Sequence, residues 1–313
     1  MLRRTQTIYV TTDPFFSPRG KVLHRFDQFL AEATQAKMPC VWMTGWTRAQ
    51  LDEPRRRLGQ NDPYIGENGC GVYLPEDYFH LKGSNTIRLG RYTCIPIAKP
   101  QPAAAEALEE LAADLDISVV PLRKLSQREL SQNTGLPARE AELIRQRDFD
   151  ELFFFAGASD ADTQKFRTEA QIRGLTLQLS GQFWSLSCGA NPAKGVRELG
   201  GLYDRALRAH VLRAGLHVRP GDDKPSADRA PWPASAFDKT LSLTEHPDRA
   251  ERQEVLAEDD DSLEGPRNSE LADAREGAES RDASAPHKNR FYLHSPGVWD
   301  NVWAALGSAA PRS

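Results

Sequence analysis

Side chains that can act as nucleophile or ligand stand at the ends of predicted strands. Asp13 follows the β-like run Ile8–Val10, and Thr44 follows the apolar run Cys40–Met43. In sheets built from βαβ units, ligands bind at the carboxyl ends of the strands. The pair Asp13-Pro14 is also a common turn initiator, and both interpretations stay open at this point.

The residues after Thr44 predict the elements that position these strand ends. Thr47 and Gln50 form a capping box that begins a helix. A turn at 61–63 and a loop at 67–69 then lead into a second β-like run, Val72–Leu74. Strand, helix and strand in this order indicate a βαβ unit within an α/β sheet.

The middle of the chain has a different pattern. Ser126 and Glu129 form another capping box, and the apolar run Leu152–Phe155 predicts a buried strand. The other predictions here are helices over 103–115 and 160–173, a helix ending near 147, and strands over 117–120, 175–179 and 183–186. Together they predict helices packed on one side of a small mixed sheet.

Composition argues against several classes of protein. The 313 residues, 39% of them hydrophobic, suffice for two compact units, and the net charge is −4. No basic stripe with interleaved aromatic residues is visible, so we expect no nucleic-acid partner. The sequence shows no apolar segment of membrane-spanning length, no signal peptide and no CxxC spacing among its four cysteines. We therefore expect a cytoplasmic protein that does not contact a membrane.

Four stretches match the motifs of one family in order. Val41–Pro75 begins VWMTGWTRAQ and ends ENGCGVYLP; Glu129–Glu151 contains GLPAREAELIRQRDFDE; Lys194-Gly195 opens a predicted helix; and Ser295–Leu306 reads SPGVWDNVWAAL. These stretches resemble the mannosyl-3-phosphoglycerate phosphatases, a branch of the haloacid-dehalogenase (HAD) hydrolases. The resemblance implies an α/β, doubly wound core with an inserted α+β cap of the C2 type. The implied core is residues 1–91 and 189–313, and the implied cap is residues 92–188.

The resemblance also implies the parts of a phosphomonoesterase that acts on a small sugar phosphate. Asp13 aligns with the aspartate that attacks phosphorus to form an aspartyl-phosphate. The residues implied to bind phosphate or substrate are Thr44, Lys194, Arg147 and Glu151. The implied Mg2+ ligands are Asp13, the backbone carbonyl of Phe15, Asp222 and Asp223, since this ion prefers oxygen ligands.

The first strand departs from the family pattern in either of two registers. Aligning Thr12-Asp13 with the family's T-D-x-D-G-T makes Asp13 the nucleophile and puts Phe15 at the acid/base position. A shifted register makes Asp13 the acid and puts Thr11 at the nucleophile position. One of the two carboxylates is missing in both registers.

Three further positions differ in charge from the family pattern. Aligned without gaps, Val218 stands where the family has a metal-binding aspartate. A shifted register uses Asp222 and Asp223 as the acidic pair, although these residues also fit an ordinary polar turn. The family's lysine after the second strand is Trp46 here, and its cap arginine is Gln182.

These differences leave two functions open. The first is a Mg2+-dependent phosphatase of glycosyl-phosphoglycerates in which the acid has moved. The second is a catalytically impaired pseudophosphatase that binds a sugar phosphate or has a regulatory role. With Val218 in place of a ligand, we expect Mg2+ to bind weakly, in roughly the millimolar range. We also expect Phe15→Asp combined with Val218→Asp to raise turnover.

Residues 251–282 differ in kind from the rest of the chain. They include twelve acidic and four basic residues and no aromatic residue. Such a segment cannot bury enough apolar surface to offset its ordering entropy, so we predict a disordered acidic insertion over 248–288. An acidic segment of this kind can also contact a partner protein.

The first prediction is that this insertion is dispensable for folding. Replacing residues 251–282 with a short Gly/Ser bridge should leave the melting temperature nearly unchanged, because the segment offers no core residues. Thermal unfolding followed by circular dichroism measures this, with the full chain as control. A large drop in the melting temperature or in cooperativity would mean that the segment packs against the fold.

Overall fold

The computed structural model describes residues 6–79, 85–219, 233–244 and 289–307. The strands in these ranges are β1 (Gln6–Thr11), β2 (Cys40–Met43), β3 (Tyr64–Gly66), β4 (Gly71–Pro75), β5 (Ile87–Leu89), β6 (Tyr92–Pro96), β7 (Val119–Pro121), β8 (Glu151–Phe155), β9 (Thr176–Ser180), β10 (Phe183–Ser187), β11 (Leu212–Arg219), β12 (Lys239–Thr244) and β13 (Arg290–Tyr292). The α-helices are α1 (Phe26–Gln35), α2 (Arg48–Arg57), α3 (Gln101–Leu115), α4 (Gln127–Thr134), α5 (Ala138–Ile144), α6 (Asp160–Ile172), α7 (Pro192–Leu207) and α8 (Val298–Leu306).

The main sheet places β1 near its centre. Its described strands lie in the order β13-β12-β11-β1-β2-β3-β4-β6-β5. The first six pair in parallel, while β4, β6 and β5 continue the sheet with antiparallel pairing. Because parallel strands share one carboxyl edge, the ends of β1, β2, β3 and β11 converge there.

Helices cover both faces of this sheet, as a doubly wound core requires. Phe29 of α1 and Trp299 of α8 stack on one face with ring centroids 4.6 Å apart. On the other face, Val196 and Leu199 of α7 are buried in a cluster with Tyr9 of β1. Alternate residues of the buried strands therefore contact different helix layers.

The cap is a separate sheet inserted between β6 and β11, which confirms the predicted fold class. Its strands lie in the order β7-β8-β10-β9. The predicted mixed sheet with helices on one side is wrong, because all three strand pairs are antiparallel and helices cover both faces. Phe153 is buried in a cluster with α3 and α6, whereas Leu152 is buried in one with α4 and α5.

The predicted start of the cap at residue 92 needs correction. Residues 92–96 form β6, which pairs with β4 in the main sheet. We propose that the cap begins with α3 and ends with β10, so that one peptide connection on each side joins it to the core.

Local predictions from turn and cap chemistry agree with the structure. Both capping boxes form, at Thr47–Gln50 before α2 and at Ser126–Glu129 before α4.

No helix in the described ranges is long and apolar enough to cross a membrane. The acidic insertion predicted at 248–288 lies outside the described residues.

Glu67 of the core holds the start of the cap strand β8. Its carboxylate accepts backbone N–H bonds from Asp148, Phe149 and Asp150 at 2.9, 2.8 and 3.2 Å. The Glu67 side chain is fully buried, and one oxygen lies 4.0 Å from the guanidinium of Arg147. Three donors from the cap thus depend on one carboxylate from the core.

Further polar contacts reinforce this junction. Arg48 of α2 forms an ion pair with Asp148 at 3.2 Å, and the hydroxyl of Tyr73 donates to the same carboxylate at 3.0 Å. The hydroxyl of Thr47 donates to the carbonyl of Leu143 at 2.9 Å. These contacts fix the orientation of the cap against α2 and β4.

The second prediction is that Glu67→Ala destabilises the whole chain. The substitution leaves three N–H groups without their acceptor and removes the negative charge 4.0 Å from Arg147, which should cost about 3 kcal/mol or more of unfolding free energy. Urea unfolding measures the loss. Glu109→Ala is the matched control, since Glu109 is an exposed partner of Arg123 and Lys124. An unchanged urea midpoint for Glu67→Ala would contradict the proposed role of this carboxylate.

Candidate active site

Asp13 lies immediately beyond the carboxyl end of β1, in a short 3-10 helix over Asp13–Phe15. One carboxylate oxygen accepts a hydrogen bond from the Thr44 hydroxyl, and the other accepts the Gly45 N–H at 2.8 Å. Asp13 and Thr44 therefore meet at the shared edge of the sheet. Both Asp13 oxygens face the end of β2, and the assignment of Asp13 as nucleophile or as acid stays a prediction.

The environment of Asp13 changes its acidity. Burial raises the pKa of Asp13, while the Thr44 and Gly45 hydrogen bonds and the charge of Arg147 oppose that rise. The net rise means that the ionised carboxylate is less stable here than in water. Such a carboxylate is more basic than an ordinary aspartate.

The loop after β3 brings polar groups toward Asp13 through an unusual backbone. Glu67 and Asn68 both adopt left-handed conformations, with φ of 47° and 57°. Gly69 follows with φ of 91°, and a Cβ there would lie 2.6 Å from the backbone nitrogen of Pro192. The loop thus directs Glu67 toward residues 148–150 of the cap and Asn68 toward the strand ends. Non-glycine residues rarely adopt these backbone conformations.

A pocket of about 120 Å³ lies at the strand ends, and we call it the strand-end pocket. Asp13, Thr44, Asn68 and Pro192 are among its lining residues. Within the described part of the chain, Asn68 Nδ2 and Thr11 Oγ1 are buried and have no hydrogen-bond partner. A buried donor without a partner is costly, so these atoms suit a polar ligand.

Phe15, at the acid/base position, lies in the core. Its side chain is fully buried and stacks on Phe26 with centroids 4.3 Å apart. Its backbone carbonyl, a predicted metal ligand, accepts the Leu23 N–H at 2.8 Å. The metal role of that carbonyl stays a prediction, but the side chain can supply no proton.

The strand β11 presents His217 to the pocket, and Val218 packs into the core. Val218 is 6% exposed and belongs to the same apolar cluster as Phe15. His217 lines the strand-end pocket, and burial, with a smaller effect of Arg219, lowers the pKa of His217 to about 4. The imidazole is therefore neutral near pH 7. Sequence reasoning missed His217, although strand alternation next to the apolar Val218 would have indicated that it faces the other side.

The remaining predicted site residues are Lys194, Asp222 and Asp223. Lys194 is exposed in the first turn of α7, and it is not among the residues lining the strand-end pocket. Asp222 and Asp223 lie outside the described residues. Their phosphate and metal roles stay predictions.

Arg147 and Glu151 are both buried but do not form the surface pair that their spacing allows. The Arg147 guanidinium pairs with Asp150 and donates to the Gly45 carbonyl at 2.8 Å. Glu151 contacts Arg123 and Gln101 instead, and burial raises the pKa of Glu151 to about 7. Arg147 thus lies beside Asp13, whereas Glu151 belongs to the cap interior.

A second pocket, of about 320 Å³, lies between the core and the cap and also reaches Asp13. We call it the cap cleft. Trp46 of the core and Gln182 of the cap hairpin both line it. A Cβ on Gly45 would lie 2.7 Å from the Ser180 hydroxyl, so a larger residue here would require the Ser180 side chain to move.

The described donors around Asp13 do not by themselves make a magnesium site. Mg2+ takes hard oxygen ligands in near-octahedral geometry. In the described ranges, no group of three His, Cys, Asp or Glu side chains could hold a metal ion. The position expected to carry a carboxylate is the buried Val218, and the imidazole of His217 is a poor ligand for Mg2+.

The sequence has relatives among proteins of known function. It is 26% identical over 169 residues to a glucosyl-3-phosphoglycerate/mannosyl-3-phosphoglycerate phosphatase of Methanococcoides burtonii, covering 54% of this chain and 62% of that protein. The chain is a distant homologue of the mannosyl-3-phosphoglycerate phosphatases. The mannosyl-3-phosphoglycerate phosphatase of Pyrococcus furiosus is 23% identical over 175 residues, covering 56% of this chain and 69% of that one. The match to the M. burtonii phosphatase thus spans less than two thirds of its length.

Two solved structures align with this chain at TM-scores below 0.5. A haloacid dehalogenase-like hydrolase from B. subtilis aligns with a TM-score of 0.49 and 14% identity, over 76% of this chain and 94% of that chain. A HAD subclass IIB sugar phosphatase aligns with a TM-score of 0.43 and 12% identity, over 76% and 94% of the two chains. No protein-family profile matches the sequence.

The third prediction corrects the expectation that carboxylates at positions 15 and 218 would complete the site. Both native side chains lie in the apolar core. Phe15→Asp should therefore lower the free energy of unfolding by about 4 kcal/mol or more, and Val218→Asp should also lower it. Urea unfolding measures each loss, and Phe15→Leu is the apolar control that should keep most of the stability. A stable Phe15→Asp variant with increased phosphate release would show that the aspartate side chain reaches the pocket instead.

Proposed function

We propose that this protein is a HAD-type phosphomonoesterase that binds the phosphate of a sugar phosphate in the strand-end pocket. The observation that carries the proposal is the Asp13 carboxylate at the end of β1, held by Thr44 and Gly45 beside two pockets. Distant homology to the mannosyl-3-phosphoglycerate phosphatases makes glycosyl-3-phosphoglycerates the first esters to test.

The chemistry would proceed by transfer of the phosphoryl group to Asp13. One Asp13 oxygen attacks phosphorus, the bond to the ester oxygen breaks, and the alcohol leaves with its bonding electron pair. Water then hydrolyses the aspartyl-phosphate to inorganic phosphate and restores Asp13. The Asn68 amide and the Thr11 hydroxyl have unused hydrogen-bonding capacity toward a phosphate in the same pocket.

Proton transfer would limit the rate of this reaction. The leaving oxygen requires a proton, and Phe15 occupies the position where the resemblance implies an acid. Loss of a positioned acid costs on the order of 100- to 10,000-fold in rate. We therefore propose slow turnover for this site.

A second candidate function is sugar-phosphate binding without turnover. The burial of Phe15 in an aromatic stack favours it, because that stack fills the acid/base position with a side chain that the core needs. In this case the pocket and cap would recognise the ligand, and the protein would act through binding alone.

The fourth prediction separates these functions. Wild type should release phosphate from mannosyl-3-phosphoglycerate slowly, and Asp13→Asn should abolish release because the amide is a poor nucleophile. Since burial raises the pKa of Asp13, activity should fall on the acid side at a pH above the usual aspartate range of about 4. Phosphate release from pH 4 to 9, with Mg2+ varied, measures both effects.

Asp27→Asn is the matched control, because Asp27 is exposed on α1. Calorimetry supplies the binding measurement. Ester binding without phosphate release would support the second candidate and contradict the first. Absence of both binding and release would contradict both candidates.

A further inference from the structure

The cap cleft has walls that are largely apolar. Phe16 and Trp46 lie together on the core side with ring centroids 5.5 Å apart. Leu136, Leu152 and Phe183 line the cap side and belong to one buried cluster. A ligand group that enters this cleft therefore exchanges water for aromatic and aliphatic surface.

The only cationic side chain among the described residues lining the cleft is already neutralised. The Arg147 guanidinium is 3% exposed and pairs with Asp150 through two of its nitrogens. Its remaining donors point to the carbonyls of Gly45 and Ile144, at 2.8 and 3.4 Å. A ligand carboxylate in the cleft would find no unpaired positive charge on this arginine.

The two positions where the resemblance implies cations both lie in the cleft wall. Trp46 is an aromatic side chain that can cover the apolar face of a sugar ring. The Gln182 amide already donates to the carbonyl of Asn133 at 2.6 Å. Relative to the family pattern, Trp46 and Gln182 thus each remove a positive charge from the cap cleft.

From these observations we infer that the cleft selects phosphomonoesters whose alcohol part is an uncharged sugar and disfavours esters that carry a carboxylate. This inference rests on the proposed function, since it assumes that the phosphate lies at Asp13 and the alcohol lies in the cleft. Sugar hydroxyls can bond to the polar groups in the wall, such as Gln50 and Ser180. Among the described residues of the cleft wall, a carboxylate would lose its water without gaining an ion pair, which is costly.

The test compares two esters that differ at one group. Mannosyl-3-phosphoglycerate carries a carboxylate, and mannosylglycerol 3-phosphate carries a hydroxymethyl group at the same carbon. Calorimetry and phosphate release with the full wild-type chain should favour the uncharged ester by on the order of tenfold to 100-fold. Gln182→Arg should raise affinity for the carboxylate ester by about tenfold, because it adds a cation to the cleft wall.

Gln164→Arg is the matched control, because it makes the same change on the exposed surface of α6, on the face of the cap sheet away from the cleft. Equal or stronger binding of the carboxylate ester by wild type would overturn the inference and leave the proposed function standing. An equal gain of affinity in both arginine variants would also overturn it, since the effect would then reflect net charge alone. Binding of neither ester would overturn the proposed function together with the inference.

Discussion

The arrangement of the two units depends on one buried carboxylate. Glu67 ends the βαβ unit of the core and accepts the three N–H groups that precede the cap strand β8. Without this acceptor, the three backbone N–H groups that precede β8 would have no hydrogen-bond partner, which is unfavourable for buried donors. The left-handed backbone at Glu67 and Asn68 is tolerated because the same three-residue loop serves both the junction and the pocket. The position of the cap over Asp13 is therefore fixed by the loop that also lines the phosphate end of the site.

Apolar side chains occupy strand-end positions where the resemblance implies catalytic groups. Phe15 and Val218 stand where the resemblance implies an acid and a metal carboxylate, and both are buried in one cluster with the helices α1 and α8. A carboxylate at either place would have to give up water within that cluster, whereas an aromatic or aliphatic side chain stabilises it. The neighbouring His217 faces the pocket because side chains alternate along a strand. The strand ends thus keep polar groups in the strand-end pocket while apolar side chains fill the positions where the resemblance implies an acid and a metal ligand.

Much of the fold could be predicted from the sequence because its signals are local. The capping boxes at Thr47 and Ser126 depend on residues three apart, and the structure contains both. The cap sheet could not be predicted to be antiparallel, because strand direction depends on connections rather than on residue patterns. The role of Glu67 could not be predicted either, since its partners lie more than eighty residues away. Arg147 and Glu151 have the spacing of a surface pair, and only tertiary burial turns them toward different partners.

A single residue, Gly45, links Asp13 to the cap. The Gly45 N–H donates to Asp13, and its carbonyl accepts from Arg147, which is itself paired with Asp150. Movement of the cap at residues 147–150 would therefore shift the donor that holds the Asp13 carboxylate. A Cβ on Gly45 would lie 2.7 Å from the Ser180 hydroxyl of the cap hairpin, so the core and the cap approach closely at this residue. The Asp13 carboxylate and the buried Arg147–Asp150 pair of the cap are therefore connected through the backbone of Gly45.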